Sequence, residues 1–376
     1  MKLGLFLGLS SAALNTGRGV NIPGLPIWSA ALRGVMAGTR NARIYVSGDS
    51  VTRGLSELAS NRQLKSWPTQ MGALATAAGF RCNNQSFFGG GGIPSVNTTG
   101  LATYDTRVTL SGAMQFNGAA ASLFSTGGAL LDCSSAGSVT FAPEADCDTF
   151  DVYYPTKSGS PLASGTFTYK IDGGTDSAPV SQAGANGVSK LTIPVALGAH
   201  SLTLSWASGR FTCIGVNSFD SSQKRIDIFN DGVIGQNTVE HNYSVYPWSQ
   251  NLAPGALAGD LLIYALCEND LLQGRTVLAT QTNAQGSIDA AKAAGMDVLL
   301  VNAIPVFVGP SVINQDAMAQ GIRDLAATND IPIFDIYARW GGLYNAARMT
   351  DGNHPNSGAL GYGDIAAGVA NRIFGI

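Results

Sequence analysis

The stretch ARIYVSGDSVTRG, residues 42–54, decides the fold. Its first five residues, Ala42 to Val46, are a short apolar, β-branched run that reads as a buried strand, and Ser47-Gly48 ends that strand in a tight turn. A helical stretch follows, in which Trp67, Met71, Leu74 and Ala78 recur at spacings of three and four before the stop signal Gly79. This opening places Ser50 in a strand-to-helix turn at the carboxyl end of a parallel strand. Ligands of open α/β sheets bind there, with helix N–H groups close by for an oxyanion. Taken alone, Gly48-Asp49-Ser50 reads equally well as a capped turn with Asp49 or Ser50 at the helix N-cap.

Downstream, RIDIFN (225–230), DLLIYAL (260–266), DVLLVNAIPV (297–306) and IPIFDIY (331–337) are apolar strand candidates. Segments of helical character separate them, among them Thr282 to Ala294 and Gln315 to Thr328. Strands alternating with helices predict a parallel sheet covered on both faces. Between about Gly89 and Asp220 the pattern changes to short alternating segments, TFDVYY, GTFTYKID, KLTIPV and HSLTLSW, with Gly, Ser, Asn and Pro turns between them. Such a series predicts an inserted β-sandwich or jelly roll. The expected organisation is an N-terminal segment 1–40, an α/β domain split over 41–94 and 223–376, and a β insert over 95–222.

Composition narrows the partners. Charged residues are only 12% of the 376 and the net charge is -3, with no Lys/Arg cluster, so nucleic acid is not an expected partner. No run approaches the roughly 18 apolar residues of a membrane span. The opening MKLGLFLGLSSAALN reads as a secretory leader, as a docking segment like the Leu-Gly repeats that begin some phage tail and virion proteins, or as a plain disordered terminus. Extracellular or virion-associated locations follow from the first two readings, the second with contacts to a virion or to further copies of the chain. Five cysteines, Cys82, Cys133, Cys147, Cys213 and Cys267, show no C-x-x-C spacing and no nearby His, which argues against structural zinc. Cys133 and Cys147 are left as either a disulfide or two buried thiols.

Four blocks carry chemistry. Besides Ser50, the segment Asp351-Gly352-Asn353-His354-Pro355 sets an Asp three residues before a His. The Asp can then accept the Nδ1 proton, fix the tautomer and make His354 a general base. His200 and His241 are poorly placed for this role. Asn269, at the end of DLLIYAL, can donate to a developing oxyanion, or can simply terminate the strand. Gly235, in Asn230-Asp231-Gly232-Val233-Ile234-Gly235, can offer an unobstructed backbone N–H. Gly89, in Asn84-Gln85-Ser86-Phe87-Phe88-Gly89, is the rival, and Gly235 is preferred because it stands one βα step before Asn269.

In chain order these blocks resemble those of the SGNH (GDSL-type) hydrolase superfamily: Gly-Asp-Ser, Asn-x-Gly-x-x-Gly, Gly-x-Asn-Asp and Asp-x-x-His. The resemblance covers residues 42–88 and 226–376. It implies a three-layer, flavodoxin-like parallel sheet and a serine esterase without metal or organic cofactor. Ser50 would be the nucleophile, His354 and Asp351 its base pair, and the Ser50 and Gly235 N–H groups with the Asn269 amide its oxyanion hole. One departure is plain, since Cys267 stands where the family's third block usually has Gly. The insert, with Tyr153, Tyr154 and Trp206 among polar neighbours, looks like the carbohydrate-binding sandwiches of polysaccharide acetylesterases, and these aromatics read equally as sugar contacts or as filling of the sandwich core. The leading expectation is therefore O-deacetylation of a polysaccharide. Lipase- or thioesterase-type hydrolysis of small esters, and a catalytically silent glycan-binding virion or surface protein, are the alternatives.

Overall fold

The computed structural model describes residues 20–56, 58, 60–89, 104–117, 124–158, 164–307 and 315–376. Among them, six parallel strands form one sheet. Their order across it is Ile333–Phe334, Asp297–Val301, Leu261–Ala265, Ala42–Gly48, Ile226–Gly232 and Cys82–Asn83. The inner strands are buried along nearly their whole length. Covered on both faces, they carry continuous apolar runs instead of alternation. The expected helices form as Val277–Ala293 and Gln315–Thr328. The helix Trp67–Ala77 buries Trp67, Met71 and Ala75 but leaves Leu74 38% exposed. Its apolar stripe therefore runs through Ala75 and not Leu74, and Gly79 at φ +97° ends it.

The helix Pro26–Met36 corrects the segment boundary expected at residue 40. Trp28, Ala31, Leu32 and Val35 lie in the main core. The Trp28 indole N–H donates to the Ile373 carbonyl (2.8 Å) and its backbone N–H to Asp297 (2.8 Å), and its ring meets Phe374 edge to face. This helix is thus part of the α/β body. The leader and docking readings rest on residues 1–15, which lie outside the described residues.

Antiparallel strands occupy the chain between Ser86 and Phe219. One sheet runs Gly187–Gly198, Cys147–Thr156, Gly215–Phe219, Ser86–Phe88, and another has Leu202–Ser208 between Thr166–Ile171 and Gly137–Phe141. The two share a second core that includes Phe141, Phe150, Phe167 and Phe211. The boundary expected at 95 falls outside the described residues, but antiparallel pairing already begins at Ser86. Gly215–Phe219 pairs with Ser86–Phe88, so the chain leaves the parallel sheet and returns to it side by side. All five cysteines are free thiols, with Cys133 and Cys147 buried in the second core.

Candidate active site

Glycines let the Ser50 turn close on its neighbours. A Cβ on Gly48 would stand 2.0 Å from Thr52 Oγ1 and 2.8 Å from the Ala265 carbonyl. On Gly232 it would stand 2.3 Å from the Arg53 nitrogen. Only glycine lets the turn press this closely on both flanking strands. The Asp49 side chain accepts the Val51 N–H (2.9 Å) and caps the short helix Ser50–Arg53, with Ser50 as its first residue. Asn230 ties this helix to the adjacent strand by donating to the Thr52 carbonyl (3.0 Å) and the Ser66 hydroxyl (3.1 Å).

The turn from Asp351 to His354 faces this helix. Asp351 Oδ1 accepts the N–H groups of Asn353 (2.7 Å) and His354 (2.8 Å), and Oδ2 lies 2.9 Å from His354 Nδ1. His354 Nε2 lies 2.9 Å from Ser50 Oγ. The three expected side chains thus form one hydrogen-bonded chain across 304 residues of sequence. With the proton on Nδ1, Nε2 is free to accept from the serine hydroxyl. Partial burial pushes the Asp351 carboxyl up. The two N–H groups and the His354 ring outweigh burial and hold it below the usual carboxylate range, so it stays ionised beside the ring.

Gly235 and Asn269 follow the strands on either side of the Ser50 strand. Gly235 sits at φ +79° with open space where a Cβ would be, and its N–H has no partner among the described residues. The Asn269 amide donates to the Gln236 carbonyl (2.9 Å), which joins the two loops. Gly89 differs. Its N–H is donated to the Ile214 carbonyl (3.2 Å), and a Cβ there would lie 2.2 Å from the Gly127 carbonyl. It is a packing glycine inside the antiparallel sheet.

Sequence reasoning gave no role to Asp270, which follows Asn269 and ends the Gly-x-Asn-Asp pattern. Asp270 is fully buried and accepts both the Thr238 N–H (2.9 Å) and its hydroxyl (2.6 Å), locking the Gly235 loop against the Asn269 helix. Asp49 and Glu268 are likewise buried, and both line a cavity of about 30 Å³ behind the serine helix. Burial raises both carboxyls, Glu268 strongly, and each is raised further by another carboxylate, Asp49 by Asp270 and Glu268 by Asp49. Asp231 is a third case. Burial pushes it up to about 8 against the opposing effects of the Thr126 hydroxyl and the Arg53 charge. Neither of its oxygens has a full hydrogen bond among the described residues.

Asp231 gives a test of stability against pH. Its carboxyl keeps its proton in the folded chain up to about pH 8, whereas an unfolded Asp loses it near 3.9. Across that window the unfolded chain binds fewer protons, so stability falls as pH rises. In Asp231→Asn the difference in Tm between pH 5 and pH 8 is expected to shrink by several degrees. An unchanged difference in thermal melts at the two pH values would refute the assignment.

Cys267 shows what its departure from glycine costs. It adopts φ +137°, a conformation side chains rarely take, and it is fully buried. Such strain costs about 1–3 kcal/mol, while burying a small thiol returns a comparable or smaller amount. Glycine at 267 should therefore match or exceed alanine in stability, the reverse of the usual order at buried sites. Melting curves of Cys267→Gly and Cys267→Ala decide this, and a clearly more stable alanine variant would count against strain.

Tyr153 and Tyr154 correct the expected substrate contacts. They are 2% and 9% exposed. Adjacent on one strand, they point to opposite faces: Tyr153 packs on Phe88 in the main core and Tyr154 on Phe167 in the second. Trp206 is half-buried against the second core, with its indole N–H donated to the Gly209 carbonyl (2.8 Å). The strand Cys147–Thr156 is covered on both faces, so its Tyr153 and Tyr154 are packing residues.

Among the described residues, no group of three or more His, Cys, Asp or Glu is placed to hold a metal ion. No helix there is long and apolar enough to cross a membrane.

No family model and no curated protein matches the sequence. Solved structures do. A peptidoglycan O-acetylesterase aligns with 93% of this chain and 97% of its own at a TM-score of 0.64 and 16% identity. An acetylxylan esterase from Geobacillus stearothermophilus, solved as a catalytic mutant, aligns with 40% of this chain and 73% of its own (TM-score 0.33, 15% identity). A GDSL-like lipase from Bacteroides thetaiotaomicron aligns with 39% and 76% (TM-score 0.31, 20% identity). The likeness to the peptidoglycan O-acetylesterase, over nearly the whole of both chains, shows that this chain shares its fold.

Proposed function

We propose that the chain is a serine esterase that removes O-acetyl groups from a polysaccharide. The observation that carries this reading is the hydrogen-bonded chain from Asp351 through His354 to Ser50 at the carboxyl edge of the sheet. In the proposed mechanism His354 Nε2 takes the Ser50 hydroxyl proton as Oγ attacks the ester carbonyl, and ionised Asp351 stabilises the imidazolium. The oxyanion that forms is held by the Ser50 and Gly235 N–H groups and the Asn269 amide. His354 then protonates the sugar oxygen as its bond to the acyl carbon breaks, releasing the sugar hydroxyl. Water, deprotonated by the same ring, releases acetate and restores Ser50.

The substrate class rests on the peptidoglycan O-acetylesterase that shares the fold over nearly the whole chain. The antiparallel segment with its own core is, in this reading, an inserted β-sandwich beside the hydrolase sheet. A fluorophosphonate probe tests the nucleophile, with labelling expected of the native chain and not of Ser50→Ala. A native chain that stays unlabelled would favour a silent glycan-binding protein instead.

A further inference from the structure

With Tyr153 and Tyr154 buried, the sugar-facing aromatics of such an esterase must lie elsewhere. The turn that carries His354 supplies them. Phe307 is 65% exposed, yet it is held in place: its N–H donates to the Gly352 carbonyl (2.7 Å), inside the Asp351–His354 turn. The two residues are immediate neighbours, since a Cβ on Gly352 would lie 3.4 Å from Phe307 Cβ, an ordinary contact. The ring of Tyr344, 36% exposed, meets Phe307 edge to face at 5.5 Å. Its hydroxyl reaches the Asp351 carbonyl (3.4 Å). Two exposed rings are therefore fastened to the two residues that precede Asn353 and His354.

We propose that Phe307 and Tyr344 form a stacking ledge for the pyranose ring that bears the scissile acetyl group, which makes them specificity-determining residues. The proposal rests on the esterase reading and names the group that site recognises. Three features favour a sugar over an acyl chain. The ledge is open, whereas an alkyl chain gains most in an enclosed apolar groove. A pyranose offers an apolar C–H face to an aromatic ring and hydroxyls at its edge. Asn353, next in the turn, carries a carboxamide with no hydrogen-bond partner among the described residues, available to such hydroxyls. Bound on this ledge, the sugar would lie beside His354, the group that protonates its oxygen as it leaves.

The test compares the native chain with Phe307→Ala, Tyr344→Ala and Phe307→Tyr. Turnover of p-nitrophenyl acetate and p-nitrophenyl octanoate is measured beside acetate release from O-acetylated peptidoglycan and acetylated xylan. Each alanine variant is expected to lower the ratio of kcat/KM on the better polymer to that on p-nitrophenyl acetate by about tenfold, the effect of losing one stacking partner. Phe307→Tyr should keep the ratio. Circular dichroism sets aside unfolded variants, and the tyrosine variant keeps the proposal testable if one alanine variant is lost. An unchanged ratio overturns the ledge, as does a loss concentrated on the octanoate, which would make it an acyl contact. Native protein that turns over p-nitrophenyl acetate but releases no acetate from either polymer also overturns it. The esterase reading fails separately, if the native chain turns over no ester at all.

Discussion

Ser50→Ala and His354→Ala are each expected to lower kcat on p-nitrophenyl acetate by roughly 10⁴-fold or more, and the double variant should be scarcely worse. The two groups act in one proton transfer, so the first loss already disables it. Asp351→Asn should lose less, on the order of 10³–10⁴-fold. It keeps the shape of the turn but removes the charge, and the replacement amide can hold the ring with Nδ1 unprotonated, the wrong tautomer for taking the serine proton. Initial rates of purified variants, checked for folding, decide the matter. Appreciable esterase activity in Ser50→Ala would end the assignment at this site.

Removing the Asn269 amide should cost roughly 100-fold in kcat, with KM little changed, because the donor acts mainly on charge that develops after binding. The same substitution leaves the Gln236 carbonyl without its partner, a loss of about 1 kcal/mol in stability. Asn269→Ala should therefore melt slightly lower while remaining folded. A kcat within threefold of the native value would assign Asn269 to loop tethering alone and leave the oxyanion to backbone groups.

The α/β order and the candidate site were legible because both are written locally. The buried strands carry uninterrupted apolar runs, and three of the four blocks follow strand ends, where glycine or a short polar side chain is physically required, as the clash at Gly48 shows. The choice of Gly235 over Gly89 was legible only as spacing. What separates the two is the Gly89 N–H bond to Ile214, a pairing between strands far apart in sequence. Whether Tyr153 and Tyr154 face a sugar or fill the core was not legible for a related reason. Alternation identifies one covered face, but nothing local tells that a second core lies against the other face of the same sheet. Phe307 gave no periodic signal at all, because its place is fixed by one hydrogen bond to Gly352. The helix Pro26–Met36 was hidden by its neighbourhood, since the leader-like or docking segment was drawn over residues 1–40.

The side-by-side exit and return of the antiparallel segment has a consequence for how the chain is made. The strand that presents Ser50 pairs on one side with Ile226–Gly232 and on the other with Leu261–Ala265, so its first partner lies about 180 residues downstream. At roughly 5–20 residues per second, a ribosome needs about 10–40 s to deliver that partner. Throughout this interval a nascent apolar strand with two open edges waits outside the exit tunnel, while the intervening strands can already close on their own core. Until that partner arrives, the first 200 residues present a strand that a chaperone can cover and that is open to misassembly.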